Sequence, residues 1–486
     1  MSKIETKTQG PLIREIRLGS ITGFAGTPGE LVDQSHQGTL KDRHRTFTQC
    51  SMCSSFCSTL QLSLIQDAIV INHAPLGCTG DTVCFNLYNL YGRAKRNMPP
   101  VNLRLFNTNL QESDMVFGAA EKLKSTIREA FNRFSPKAIF VTTSCASAII
   151  GEDIDALTQN LSSDLNIPII PVYCEGFRSQ VWASGWDSAY HAVLTGIVKP
   201  PKVKQPELIN VITFIGTDFF TPLFKKLGLT PNYIVPFSTI EQLEHISESA
   251  ATVQMCSTLG TYLASELEKR YGVPEVKSPP PYGFDGTDRW FRELAKIVKK
   301  EAQVESLIAE EKQAIAAELA ELRKKFQGLK AFVATGPSLG NSHMSVLFDL
   351  GFSIAGSCFF HHDPKFDHGD PRGDGLSTLV HKLGKFKMGV CNKQAYEVTN
   401  QLLKIKPDVF VTRHPGLSVT GAKLGIPTVF IDDEHLYMGY RGVVQYGRKI
   451  ADWIRNPAIE KNLARHRRTP YTPWWLEQEP FTFLEQ

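Results

Sequence analysis

The sequence predicts an α/β protein made of three doubly wound, Rossmann-like domains with parallel sheets, and three observations carry that prediction. From about residue 110 onward, short apolar runs rich in β-branched residues alternate with longer amphipathic segments. Strands buried on both faces by crossover helices read this way. Proline-rich and glycine-rich stretches punctuate the alternation, KPPKVKQPEL (199–208) as a linker and SPPPYGFDG (278–286) as a rigid turn. At 486 residues the chain is too long for one compact core, and length alone suggests about three domains.

The predicted strands, in order, are AIFVTT (138–143), IPIIPVYC (167–174), LINVITFIG (208–216), AFVATGP (331–337), FSIAGSCF (352–359), DVFVTR (408–413) and PTVFID (427–432). One long helix is expected over 303–328, where Val304, Ile308, Ile315, Leu319, Leu322 and Phe326 recur at helical spacing and Gly328 supplies the stop. It precedes the strand at 331 and is expected to bridge two domains. The expected partition is an N-terminal extension (1–46), domain I (47–200), domain II (201–328) and domain III with a C-terminal tail (329–486).

In doubly wound sheets, ligands collect at the carboxyl ends of the strands, near the points where strand order reverses. Cys145 follows VTTS, Cys174 ends PVYC and Cys256 follows ATVQM, so three otherwise isolated cysteines sit where a ligand site would be built. Cys358 lies within a strand and Cys391 ends KMGVC. Isolated cysteines of this kind mostly read as core.

Apolar content of 42% and charged content of 21% describe an ordinary soluble globular chain. A net charge of +4 without a long basic run gives nucleic-acid or membrane binding little support. The opening MSKIETKTQG does not read as a signal peptide, and no apolar run approaches the roughly 18 residues that span a bilayer. The expected location is the cytoplasm, where thiols stay reduced and a disulfide framework for the ten cysteines is not expected.

Five of those ten, Cys50, Cys53, Cys57, Cys78 and Cys84, cluster early in the chain. Structural zinc wants two paired sets, and Cys50 and Cys53 form the only CxxC of that spacing. A redox dithiol would open a helix after a strand, which this segment does not clearly do. Thiolates are the standard ligands of iron–sulfur clusters, so that reading fits better. The small-residue loops APLGCTGD and TTSCAS would let backbone amides approach inorganic sulfide.

These residues carry a family resemblance. Cys53, APLGC ending at Cys78, and TTSCASAIIGEDIDA containing Cys145 resemble the three bridging-cluster cysteines of nitrogenase component I subunits. FNTNLQESDMVFGAAEKL (106–123) and PVYCEGFRS (171–179) are similar to segments of the catalytic α-type subunit. So is VQMCSTLGTYLASELEKRYGVP, whose Cys256 matches the cysteine on the apical iron of the active-site cofactor. The resemblance runs from about residue 47 to 455.

The resemblance implies an electron-transfer enzyme. Cys53, Cys78 and Cys145 would supply half the ligands of a P-type [8Fe-7S] cluster (the alternative being [4Fe-4S]), shared with a homologous β-type partner in an α2β2 heterotetramer. Which of Cys50, Cys53 and Cys57 ligates stays open, with family spacing to Cys78 favouring Cys53. Cys256 would anchor an iron–sulfur–carbide cofactor in a pocket between the domains. Electrons would come from an ATP-hydrolysing [4Fe-4S] reductase homodimer; the chain itself holds no GxxxxGK[ST] phosphate loop.

Departures from the family pattern shape the expected function. A cofactor-facing histidine of the family falls at Trp186, a glutamine at Trp182, two arginines at Thr258 and Leu339, and a lysine at Gly416. Tryptophan donates a hydrogen bond but cannot shuttle a proton. Losing several cations beside an anionic cluster is costly unless the cluster carries less negative charge, so the expectation is an all-iron cofactor without homocitrate. The family's second ligand, a histidine, falls at Asp432, and His435 three residues on is the candidate replacement, against a plain surface histidine. The run His361-His362-Asp363 after Phe360 could deliver protons, with His362 as the candidate donor, or could be a solvated loop.

A pocket lined by Trp182, Trp186 and Phe360 would suit a small apolar thioether, because aromatic faces contact sulfur favourably. The pattern resembles the catalytic subunits of methylthio-alkane reductases, nitrogenase-like enzymes that release methanethiol by reductive C–S cleavage, with His362 and Trp186 as the catalytic candidates. Competing expectations are a cofactor-assembly scaffold, an alternative nitrogenase, which Trp186 disfavours, and the tetrapyrrole-reducing branch, whose chains lack a match to Cys256.

Overall fold

The computed structural model describes residues 10–47, 52–214, 220–367, 369, 375–392, 394–431 and 437–485, the side chains of 81–83 excepted. Its strands are β1 (Phe24–Gly26), β2 (Ala68–His73), β3 (Leu105–Asn107), β4 (Ala138–Thr143), β5 (Ile169–Val172), β6 (Gln205–Ile212), β7 (Thr230–Ile234), β8 (Ser249–Gln254), β9 (Lys330–Thr335), β10 (Ser353–Phe359), β11 (Lys387–Val390), β12 (Val409–Thr412) and β13 (Thr428–Phe430). They form a four-stranded sheet β3-β2-β4-β5, a three-stranded sheet β7-β6-β8 and a six-stranded sheet β1-β11-β10-β9-β12-β13. Every pairing is parallel except β1 with β11. The predicted class, α/β with parallel doubly wound sheets, is the observed one.

Each predicted strand overlaps an observed one, and AIFVTT coincides with β4. The extended reading missed β1, β2, β3, β7, β8 and β11. The strand β7 carries Pro231 and is largely half-exposed, as an edge strand tolerates. The strand β1 has three residues and pairs antiparallel, Phe24 opposite Val390; neither gives the buried apolar run that marks a central parallel strand.

The chain divides into two compact units. One comprises Met1–Arg17, Met52–Met255 and Leu259–Glu275 and carries the four- and three-stranded sheets. Its four-stranded sheet reverses order between β2 and β4, whose registers run from Ala68 opposite Ala138 to His73 opposite Thr143. Ile69, Ile71, Ile139 and Val141 from these strands pack with Leu123, Ile127, Leu157 and Leu161 of flanking helices. Every residue of β2 and β4 is buried, so both strand faces are covered and a ligand is left the carboxyl ends.

The other unit comprises Leu18–Ser51, Cys256–Thr258 and Val276–Gln486 and carries the six-stranded sheet. Residues 276–328, expected to close domain II, group with this unit. The long helix, Glu301–Phe326, buries Val304, Leu307, Ile308, Ile315, Leu319, Leu322 and Phe326. Its buried Glu311 receives a bidentate bond from Arg441, on the helix Gly439–Arg455. That pair ties it to residues beyond 328, while Arg292–Glu305 and Lys312–Asp288 pairs, both at 2.6 Å, tie it to the helix Gly283–Val298. Among the described residues no helix is long and apolar enough to cross a membrane.

Candidate metal-cluster site

In the first unit, three cysteines arrive from three elements at the carboxyl edge of the four-stranded sheet. Cys78 lies in the turn Leu76–Thr82 that leaves β2, its N–H donating to the Pro75 carbonyl at 3.0 Å. Cys145 opens the short helix that leaves β4, where Ser144 and Ser147 form a capping box. These two loops flank the reversal of strand order, where a doubly wound sheet leaves a crevice. Cys53 flanks the start of the helix Ser54–Ser63 in extended conformation and makes no side-chain capping bond.

The loop after β5 brings them together. At Gly176 an added Cβ would lie 2.9 Å from Cys53 Cβ, 3.5 Å from Cys53 Sγ and 3.6 Å from Cys145 Sγ, so both sulfurs flank this one position. The Cys78 thiol is pushed up by burial and by the neighbouring Cys53 and Cys145 sulfurs, which places all three within electrostatic reach of one another. Yet among the described residues no three His, Cys, Asp or Glu side chains converge as a single metal ion would require. Zinc held by four thiolates needs such convergence, whereas a polynuclear iron–sulfur cluster spreads its thiolates around its edges. The arrangement fits the larger group.

The surroundings sort the other cysteines. Cys57 is fully buried, and Cys50 lies outside the described residues. Cys174 is buried, its thiol donates to the Thr143 carbonyl at 3.4 Å, and burial pushes its pKa up to about 12. It is a packing thiol next to the trio. Glu175 beside it is buried, accepts from Thr143 Oγ1 at 2.8 Å and pairs with Arg178 at 3.3 Å. Cys358 and Cys391 are core.

Trp182 and Trp186 lie in the same unit and are nearly fully buried. Their rings meet edge to face at 6.4 Å, and Phe214 stands against Trp186 at 5.4 Å and 84°. Trp186 belongs to the helix Ser184–Gly196, which packs directly on the Cys53 helix: Ser58 Oγ donates to the Gly185 carbonyl at 2.6 Å. A Cβ at 185 would sit 2.0 Å from the Ser54 carbonyl oxygen, so only glycine permits the approach. Gly176 and Phe214 are contributors that the sequence reading missed; PVYCEGFRS held the glycine in plain view, but which sulfurs it faced depends on the folded loop.

In the second unit, Cys256 is partly exposed at the start of the helix Ser257–Tyr271. Ser257 N–H donates to Ser338 Oγ at 2.9 Å and fixes the turn. His362 is nearly buried and its Nε2 meets Ser35 Oγ at 2.8 Å, while its backbone bridges Ile21. The carboxylate of the HHD run engages its neighbour instead: His361 Nδ1 lies 3.0 Å from Asp363 Oδ1, which also accepts from Ser20 Oγ at 2.5 Å. Phe360 is fully buried in the core cluster with Phe332, Leu402 and Phe410, and its ring meets His414 at 4.5 Å; its placement is a packing one. Thr258 and Leu339 are buried, and a Cβ at Gly416 would meet open space. Asp432 and His435 lie outside the described residues.

A parallel α/β fold with a thiol trio at a strand-order reversal defines the class: a chain built to hold a thiolate-ligated inorganic cluster. Residues 53–455 match the nitrogenase component 1 type oxidoreductases, and the chain belongs to that family. It is 27% identical over 463 residues to the nitrogenase molybdenum-iron protein alpha chain of Clostridium pasteurianum, covering 83% of this chain and 85% of that one. It is equally 27% identical, over 407 residues and 81% of each chain, to the nitrogenase iron-molybdenum cofactor biosynthesis protein NifE of Methanococcus maripaludis. Its fold superposes on nitrogenase Cp1 at pH 6.5 with a TM-score of 0.69 at 24% identity, over 89% of this chain and 93% of that one. The family implies iron–sulfur clusters, and the thiol geometry fits them.

Proposed function

We propose that the chain is the catalytic α-type subunit of a nitrogenase-like reductase that cleaves C–S bonds in small methylthio-alkanes and releases methanethiol. The observation that carries this reading is the buried aromatic wall of Trp182, Trp186 and Phe214, in which Trp182 and Trp186 stand where the family pattern has a glutamine and a proton-carrying histidine. Indole faces exclude water and contact thioether sulfur favourably, and they cannot relay a proton to a polar substrate.

Cys53, Cys78 and Cys145 would hold half of a P-type cluster shared with a β-type subunit. Leu76, Ile149 and Phe177, each within four residues of a trio cysteine or of Gly176, are exposed apolar side chains, which supports coverage by a partner chain. Cys256 would hold the active-site cofactor, and that cofactor, when bound and charged by an ATP-hydrolysing reductase, would supply reducing equivalents. The loss of arginine and lysine at Thr258, Leu339 and Gly416 supports an all-iron cofactor without homocitrate. His435 would be its second ligand. His362, held by Ser35, and His361, whose Nδ1–H is directed by Asp363, are the groups that would carry a proton toward the methylthiolate product.

The experiment is headspace assay of the chain with its partner, reductase and ATP, under 2-methylthioethanol or dimethyl sulfide on one arm and dinitrogen on the other. Methanethiol without ammonia supports the reading. A second reading, a cofactor-assembly scaffold, is favoured by the NifE relative at the same identity as the alpha chain and at nearly its coverage. Absence of turnover together with transfer of bound iron to a cofactor-free nitrogenase would select it.

A further inference from the structure

Three helices of the second unit line a small, partly open cavity to which no cysteine contributes. The helix Pro337–Asp349 presents Ser338, Asn341, Ser342 and Ser345 to it, a spacing that puts all four on one face. The helices Gly283–Val298 and Gly375–Leu383 contribute Arg289 and, facing it, Thr378 and Lys382.

The charges in it do not balance. Lys382 is paired with Asp285. Arg289 bonds only to neutral oxygens, Thr378 Oγ1 at 3.2 Å and the Asp285 carbonyl at 3.4 Å, and among the described residues no carboxylate forms an ion pair with it. The nearby Glu293 is engaged by the Lys277 N–H at 2.7 Å. Burial lowers the Arg289 pKa, and the charge of Glu293 offsets this only in part. Asn341 is nine-tenths buried, and its Oδ1 has no hydrogen-bond partner among the described residues. A buried acceptor left without a donor costs free energy, which a ligand O–H would recover. The occupant must therefore offer negative oxygens to a guanidinium and an O–H donor to an amide oxygen.

We infer that this cavity is a binding site for a small oxyanion that carries its own O–H, a hydrogen phosphate or a hydroxycarboxylate, seated against the turn that holds Cys256. Ser338 lines the cavity while accepting the Ser257 N–H, so the occupant touches the residue that fixes the Cys256 turn. The inference is independent of which reaction the chain performs.

Calorimetric titration of the anaerobically purified chain with its partner tests it, using phosphate, lactate, acetate and chloride as separate titrants. Saturable binding of phosphate, lactate or both, with acetate and chloride at least about tenfold weaker, is expected; phosphate alone would point to a phosphate-bearing ligand and lactate alone to a hydroxy acid. Arg289→Gln should weaken binding about tenfold or more, and Asn341→Leu should erase the preference for lactate over acetate. Arg289→Lys keeps the charge but not the fork, should bind several-fold more weakly, and serves if Arg289→Gln fails to fold. No saturable binding, acetate binding as tightly as lactate, or unchanged binding in folded Arg289 variants would overturn the site.

Discussion

At the scale of single residues, the cluster site rests on a missing side chain as much as on thiols. Gly176→Ala would force its Cβ to within 2.9 Å of Cys53 Cβ, and overpacking of this kind costs about 1–3 kcal/mol. The variant should melt lower and purify with less iron, measured by metal analysis beside the wild-type complex. Cys256→Ala should lose only part of the iron, because Cys53, Cys78 and Cys145 stand on other elements; unchanged iron would remove Cys256 from the cofactor. Asp349 gives a pH signature. Burial raises its pKa to about 6 although its carboxylate accepts the Phe284 N–H at 2.7 Å. The folded chain thus keeps a proton that the unfolded chain releases near pH 4, and the stability this contributes is lost as pH rises through 6. Asp349→Asn, which can still accept from Phe284, should be more stable than wild type above pH 6 by on the order of 3 kcal/mol. The gap should close toward pH 4 in urea titrations.

At the scale of elements, the N-terminal turn Arg14–Arg17 clamps the Trp186 helix. Arg14 and Asp187 are both buried, with Nε to Oδ2 and Nη2 to Oδ1 at 2.7 Å, and Arg17 reaches Oδ2 at 2.5 Å. Arg14→Met should destabilise by about 3 kcal/mol, the low end for a broken buried pair because Arg17 remains. Adding Asp187→Leu should recover much of it in denaturant titration; a double variant as weak as the single would mean that the clamp serves more than charge balance. The predicted strands and the long helix were legible because a buried strand writes an apolar run and an amphipathic stripe writes a 3.6 period. Half-exposed β7 and three-residue β1 carry no such run, and β2, buried along its whole length, was missed although it carries one, AIVI.

At the scale of the whole molecule, the exposed ring of Leu76, Ile149 and Phe177 around the trio bears on assembly. Ile149→Asp or Phe177→Asp should leave the isolated chain's melting temperature within error and abolish co-purification with the β-type partner. A variant that still co-purifies would place the partner elsewhere. The site residues were legible unequally. Cys53, Cys78 and Cys145 were named by the family resemblance, with Cys50 and Cys57 left open against Cys53, and their three sulfurs lie within electrostatic reach of one another. The choice within His361-His362-Asp363 could not be made from spacing, because the residue that Asp363 orients depends on Ser20 and Ser35 arriving from far upstream. Phe360 read as a pocket ring and is spent in the core, since an apolar residue at a strand end suits either place.

The sequence alone determined the α/β class and the long helix, because periodicity and composition are local properties of the chain; the choice among its cysteines came from the family resemblance. Only the tertiary structure decided that Gly176 sits between two sulfurs, that residues 276–328 join the six-stranded unit, and that Arg289 and Asn341 share one cavity. Each of those depends on which surfaces meet after the strands have been ordered into sheets, and that order is a property of the folded topology rather than of any stretch of residues.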